Sequence, residues 1–183
     1  MKFIKSLISI ILISVMSLSL VSCEKKVEEN EAIELVKNLV SESYDLNEIL
    51  YGKGLSYTDT NTEDKYAPVN LDEKYLTLFS LKEKMRQVYS SSYATSLIDY
   101  LFTYHPGVYG EGIFPRYDER GGYIVVLKDY EADDITEYNY DTIEIKKIKR
   151  KEIRATVMST DNESVEIVLV KELDGWRLDT ATV

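Results

Sequence analysis

Across 183 residues the chain has one Cys, one His and three Pro, and its 22 Lys and Arg are outnumbered by 32 Asp and Glu. Each shortage excludes something. A single Cys cannot close an internal disulfide, and a single His beside it cannot build a His/Cys zinc site. A net charge of −10 argues against nonspecific nucleic-acid binding, which relies on a basic footprint. The chain also lacks a G-x-S-x-G elbow, a P-loop, a G-x-G-x-x-G turn and an H-E-x-x-H pair. It has no internal repeat and no low-complexity segment. Its length fits one domain.

The lone Cys sits at an informative place. Lys2 and Lys5 open a short positive region, and Ile8 to Leu20 is apolar and diluted by Ser. Leu20-Val21-Ser22-Cys23 then matches a bacterial lipobox, in which the Cys is acylated on sulfur and becomes the new N-terminus. Residues 1–22 therefore read as a lipoprotein signal peptide and Cys23 as the lipidation site. The alternative for the same run is a membrane-spanning anchor, since a span needs about 20 apolar residues. Two acyl chains suffice for stable attachment. Loss of Lys2 and Lys5 takes the net charge from −10 to −12, and no thiol remains for catalysis, metal or redox work. An acidic body is repelled by anionic headgroups, so residues 23–30 read as a polar tether holding residues 31–183, a single α+β domain, off the membrane. Abundant Ile, Lys and Tyr with few Pro suggest a low-GC, Gram-positive bacterium and the outer face of its cytoplasmic membrane.

Periodicity supplies the fold class. Ala32, Ile33, Leu35, Val36, Leu39, Val40 and Tyr44, continuing through Leu46, Ile49 and Leu50, predict an amphipathic helix over 30–51, stopped by Gly52 and Gly54. Residues 55–72 show no period and read as a loop. Ser80 with Glu83 forms a capping-box pattern opening a helix to Tyr89, with Leu81, Met85, Val88 and Tyr89 buried. A short helix with Ala94, Leu97, Ile98, Leu101 and Phe102 on one face follows, ended by His105, Pro106 and Gly107. The period then changes to two. Tyr117–Glu119 and Tyr123–Lys128 flank Arg120-Gly121-Gly122 as a hairpin. Four further runs carry Ile143/Ile145/Ile148, Ile153/Ala155/Val157, Val165/Ile167/Leu169 and Trp176/Leu178, with turns at Asp161-Asn162-Glu163 and Asp174-Gly175. Trp176 is expected to pack on the helical layer. Helices first and an antiparallel sheet after predict an α+β fold, N-terminal helices packed on a curved antiparallel β-meander.

Candidate chemistry is sparse. His105 at a helix end suits an interaction with terminal carbonyls better than a general-base role, since no nucleophile motif accompanies it. Asp133 and Asp134 beside Glu131 lack the glycine and periodic oxygens of a calcium loop and read as a solvated connection. Fifteen tyrosines stand out, because Tyr gives rigid amphipathic contact area at low entropic cost. His105 to Gly122 gathers Tyr109, Phe114, Arg116 and Tyr117 with five glycines and two prolines. Aromatic residues with Arg are hot-spot types, and long ordered loops are often functional. These four residues are the candidate partner-binding positions, expected to matter for binding and little for folding.

Two resemblances follow from these strings. The stretch from Leu169 to Asp179, with Asp174-Gly175-Trp176 at its turn, resembles the last hairpin of nuclear transport factor 2-like and cystatin-like proteins, which implies a cone-shaped pocket between helices and sheet. The order Tyr51-Gly52-Lys53-Gly54, a Tyr-rich loop, Phe79-Ser80-Leu81-Lys82-Glu83-Lys84-Met85, then Tyr89 and Ser92-Tyr93-Ala94 is similar to exported IseA-type DL-endopeptidase inhibitors and related clostridial lipoproteins. That likeness implies a non-enzymatic, lipid-anchored protein that blocks the cleft of a cell-wall peptidoglycan hydrolase. It implies no cofactor, no metal, no nucleic acid, and membrane contact through the Cys23 lipid alone. The alternative is a small-molecule-binding lipoprotein using the cone pocket. An enzyme would need an acidic group such as Asp99 or Asp118, and neither has a motif behind it.

Cys23→Ser removes the sulfur the thioether needs, so the protein should stay as unprocessed precursor or be shed into the medium. Labelling with a palmitate analogue checks this. A labelled, membrane-bound mature form of the variant would overturn the lipobox reading.

Overall fold

A computed structural model describes residues 26–58, 63–106 and 112–182. Helix α1 runs Glu29–Leu50, strand β1 Tyr66–Pro68, helix α2 Leu78–Val88 and helix α3 Ser91–Leu101. Strands β2 (Tyr117–Arg120), β3 (Tyr123–Leu127), β4 (Tyr138–Lys149), β5 (Glu152–Ser159), β6 (Ser164–Glu172) and β7 (Gly175–Leu178) follow. The fold is α+β, with the helices N-terminal to an antiparallel meander. The strands form two sheets. One is three-stranded with order β1-β3-β2, and the other is the meander β4-β5-β6-β7. Among the described residues no helix is long and apolar enough to cross a membrane.

The meander follows its turn chemistry. Asn162 and Gly175 take positive φ of 65° and 145° at the tips joining β5 to β6 and β6 to β7. Register shifts between Asn139 and Glu144 and between Ile145 and Lys147 interrupt β4, the irregularities that bend a strand. In β5, Ile153, Ala155, Val157 and Ser159 are buried and alternate with half-exposed neighbours, so one face packs. Opposite it lies the buried stripe of α1, which includes Ala32, Val36, Leu39, Val40, Leu46 and Leu50. The space between them is filled by Ile153, Ala155, Val157, Ile167, Leu169 and Leu178. Truncating a fully buried Leu or Ile in such a core costs about 2–5 kcal/mol.

Two polar residues lie within the α1 stripe, Ser43 and Asn47, at 0% and 1% exposure. Asn47 Nδ2 donates to Thr182 O at 2.9 Å, and its Oδ1 accepts from the Tyr89 hydroxyl at 3.0 Å. Thr182 Oγ1 donates to Ser43 Oγ at 3.0 Å, and Ser43 Oγ donates to Val40 O at 2.8 Å. One buried network thus joins α1, the end of α2 and the C-terminal segment. Burial pushes the Tyr89 hydroxyl strongly up from its ordinary range. Ser90 next to it caps α3, its Oγ accepting from Tyr93 N, while the Ser90 amide donates to Leu178 O at 2.7 Å.

The structure corrects the sequence reading in four places. The 55–72 loop contains β1, in which Tyr66, Ala67 and Pro68 pair with Leu127, Val126 and Val125. A three-residue strand ending in Pro is too short to show a period. The cap of α2 is Thr77, which accepts from Ser80 N at 3.2 Å. The Ser80–Glu83 pattern therefore starts the helix three residues late. In α3 only Ala94 is fully buried, because the helix sits at the margin of the core with Leu97, Ile98 and Leu101 half-covered. Trp176 shares a strand face with buried Leu178 and packs on the core, but it lies near the turn and is only half-buried. Its truncation should fall below the about 3–5 kcal/mol of a buried Trp.

Asn47→Ala strands the Tyr89 hydroxyl and the Thr182 carbonyl in the core, and an unsatisfied buried group costs about 1–3 kcal/mol. The variant should lose about 3 kcal/mol of unfolding free energy in urea melts. A loss below about 0.5 kcal/mol, the range of ordinary surface changes, would show that the network carries little stability.

Candidate functional site

The C-terminal end of α1 has no basic residue in its last turn, so its free carbonyls need partners from elsewhere. One comes from the start of β2. Tyr117 is buried, its hydroxyl donates to Ile49 O at 2.7 Å, and it accepts from Leu55 N at 2.9 Å. Arg116 acts just beyond the helix, its Nη2 donating to Gly52 O at 2.7 Å. The chain must bend sharply to offer these groups. Gly54 has φ of +80°, its amide donates to Glu48 O at 2.8 Å, and a Cβ there would run into the Arg116 guanidinium. The Tyr51-Gly52-Lys53-Gly54 string is thus a seat for Arg116 as well as a helix stop.

Around this seat lies a cleft of about 200 Å³. Its walls are Leu50 and Tyr51 from the end of α1, Tyr100 and Leu101 from α3, His105, the segment Ile113 to Tyr117, and Tyr130 with Asp133 from the β3–β4 connection. The Tyr130 ring stacks on the guanidinium at 4.2 Å, and Tyr117 lies 5.5 Å from it. Burial first, then neighbouring phenols and Asp133, pushes Tyr51 up to about 12. Burial likewise raises Tyr130 and Tyr117, against the pull of Arg116. These hydroxyls stay protonated at neutral pH and act as donors.

The cleft opens beside a pinned loop base. His105 and Ile113 exchange backbone hydrogen bonds of 3.0 and 2.8 Å. Tyr104 packs on Phe114 with ring centroids 5.1 Å apart, and Tyr100 on His105 at 5.3 Å. Gly112 is needed here, since a Cβ would strike the His105 carbonyl and the Tyr104 ring. Outside this frame Tyr100, Tyr104 and Ile113 remain 62%, 47% and 68% exposed.

The candidate partner-binding residues therefore part company. Phe114 is half-exposed at the cleft. Arg116 and Tyr117 are only 7% and 2% exposed, which does not fit surface anchors with little part in folding: Tyr117 holds the last turn of α1, and Arg116 holds the Gly52 carbonyl just beyond it. Residues 117–120 and 123–127 belong to a hairpin, which shortens the loop to its part before Tyr117. Tyr109 and Cys23 lie outside the described residues. Tyr100, Tyr104, Ile113 and Tyr130 join the site without having been singled out as anchors; their shared end of the fold is a tertiary fact that no linear spacing carries. His105 Nε2 lies 2.8 Å from Tyr100 O, Asp99 is exposed on α3, and Asp118 sits 3.8 Å from Arg120 Nε. Among the described residues no group of acidic, His or Cys side chains could hold a metal ion. A larger open depression of about 950 Å³ near Glu83, Arg150 and Glu172 has no buried residue in its lining. No protein-family model matches the chain, and no curated protein matches it significantly.

A phenol whose pKa is raised on folding holds its proton more tightly in the native state, so its contribution is complete below the unfolded value and is lost as pH rises. For Tyr51 the window runs from about 10 to about 12. Unfolding free energy should decline through that window, and Tyr51→Phe should flatten the decline. A parallel alkaline limb in the two proteins would show that the Tyr51 phenol is not shifted.

Proposed function

We propose that the chain is a lipid-anchored, extracytoplasmic binding protein without catalytic activity, displayed on the outer face of a bacterial membrane through Cys23. Its partner is a cell-wall peptidoglycan hydrolase of the DL-endopeptidase kind, inhibited by occlusion of its cleft. The observation that carries this reading is the exposed cluster of Tyr100, Tyr104 and Ile113 around the pinned base of the 105–113 loop. Exposed aromatic and aliphatic side chains held by a rigid frame are what a binding surface needs, because little ordering entropy is lost on docking. The frame is supplied by the His105–Ile113 backbone pair. The −12 charge of the mature chain would steer it towards a basic rim on the partner. The similarity to IseA-type inhibitors supports the same partner class. A small-molecule receptor is the weaker reading, since pockets that enclose whole ligands measure about 300–1,000 Å³ and this cleft is about 200 Å³.

The test is inhibition of a wall cysteine peptidase by the full lipoprotein in detergent. Tyr104→Ala and Ile113→Asp should each weaken inhibition about thirty-fold, the equivalent of about 2 kcal/mol at a hot spot. Their melting temperatures should stay near that of the wild type, as surface changes usually cost about 0.5 kcal/mol or less. Tyr109→Ala should behave in the same way. Full inhibition by all three variants would overturn the loop as the inhibitory element.

A further inference from the structure

Arg116 is anchored but not satisfied. Its Nη2 donates to Gly52 O, while Nε and Nη1 are buried and have no hydrogen-bond partner. The residue is only 7% exposed. A guanidinium cannot shed its charge, and a buried cation with unmade hydrogen bonds is costly unless something completes them. The two rings beside it, Tyr117 and Tyr130, offer only their faces. No carboxylate of the described residues lies within ion-pair distance of it.

The same cleft holds a second charge of opposite sign. Asp133 lines it, and its carboxylate acts on the phenols of Tyr51 and Tyr130. Asp133 is itself exposed, and its amide donates to Tyr51 O at 2.9 Å, which fixes the backbone at the rim. So one cleft is lined by an unfinished buried cation and by an exposed anion, and among the described residues no ion pair joins them. The two do not reach each other. A ligand that carries both charges would satisfy them together.

We propose that this cleft is a receptor for an amino-acid zwitterion, with its carboxylate on Arg116 and its ammonium at Asp133. The inference rests on the binding reading above and names the chemistry of that site. The volume of about 200 Å³ admits one amino-acid head and little more, so any remainder of the ligand must lie outside, over Tyr100 and Ile113. Nε and Nη1 are buried beside the Tyr130 ring as the cleft stands, so seating a carboxylate on them requires that half-buried ring to move aside. The head could belong to a free amino acid or to a diamino acid joined to a peptide through its other amine, since an ordinary peptide end carries only one of the two charges.

Calorimetric titration of the full lipoprotein in detergent separates these cases. Alanine stands for the free amino acid. Nε-acetyl-lysine carries the same head on a chain ending in an amide and stands for the joined diamino acid. N-acetyl-alanine and alaninamide each keep one of the two charges. Alanine should bind at least about tenfold more tightly than either single-charge analogue, the size expected when a charged hydrogen-bonding partner is lost. Tighter binding of Nε-acetyl-lysine than of alanine assigns the joined diamino acid, and equal binding assigns the free amino acid. Asp133→Asn, on an exposed side chain, should bring alanine down to the level of N-acetyl-alanine without lowering N-acetyl-alanine itself. Arg116→Lys, with its melting temperature checked, should weaken every carboxylate probe. N-acetyl-alanine binding as tightly as alanine, or no heat from either zwitterion at millimolar concentration, would overturn the proposal. Peptidase inhibition is measured on the same samples. Inhibition that persists without zwitterion binding sinks this inference and leaves the inhibitor reading standing, while zwitterion binding without inhibition does the reverse.

Discussion

Everything at the functional end of the molecule depends on how the last turn of α1 is closed. A helix leaves its final carbonyls without internal partners, and they carry the negative end of its dipole. Here part of the closure is local, the Gly52 and Gly54 amides donating to Asn47 O and Glu48 O, and part comes from far along the chain. The Tyr117 hydroxyl takes Ile49 O, and the Arg116 guanidinium takes Gly52 O. A cation and a phenol at a helix C-terminus suit both the hydrogen-bond need and the charge. The consequence is that β2, the short bend at Gly52 to Gly54 and the end of α1 form one unit, and none of the three can shift without unmaking a buried bond.

The same helix is tied down about one turn earlier by Asn47, which reaches Tyr89 and Thr182. The two fixtures share a helix but face different layers. Asn47 joins α1 to the meander side through the C-terminal segment. Tyr117 and Arg116 join it to the small sheet. Helix α2 completes the frame, since it touches both β2 and β7, and the amide of Leu78 at its start donates to Glu119 Oε2 at 3.0 Å. The cleft is therefore built against a fixed floor, while its outer wall consists of connections and a helix end. The floor places Arg116 in one position, and the Tyr130 ring stacked on its guanidinium forms part of the outer wall.

How far the sequence foretold this varies with the kind of signal. The meander was legible because alternation over β5 and β6 has a period and its turns carry Asn162 and Gly175. Helix α1 was legible within a residue at each end for the same reason. Strand β1 was not, since three residues with a Pro have no period to detect. The α2 cap was misplaced because Ser80 and Thr77 both precede a helical pattern, and only geometry says which accepts the amide. Asn47 and Ser43 were passed over inside an apolar stripe; a polar residue at a buried helical position was the available clue. Arg116 and Tyr117 were picked out for their residue types, and those types are shared by contact surfaces and by buried capping groups. What separates the two is burial, which depends on the arrival of α1 from more than sixty positions away.

Charge decides what the site can read and at what range. With a net charge of −10, the chain repels an anion approaching from bulk and draws in a cationic surface. At physiological salt that field fades over about 8 Å. Within the cleft the balance reverses. Arg116 is shielded from solvent and the neighbouring phenols are neutral, so in the proposed mode a carboxylate seated there meets a stronger local attraction than the surface repulsion it has crossed. A ligand with only a negative charge gains there but is penalised on the way in by Asp133. A ligand that brings its own cation turns that penalty into a contact. The acidic body and the buried Arg116 are thus compatible in the proposed reading: the first would favour basic partners at a distance, and the second a paired charge at touching range.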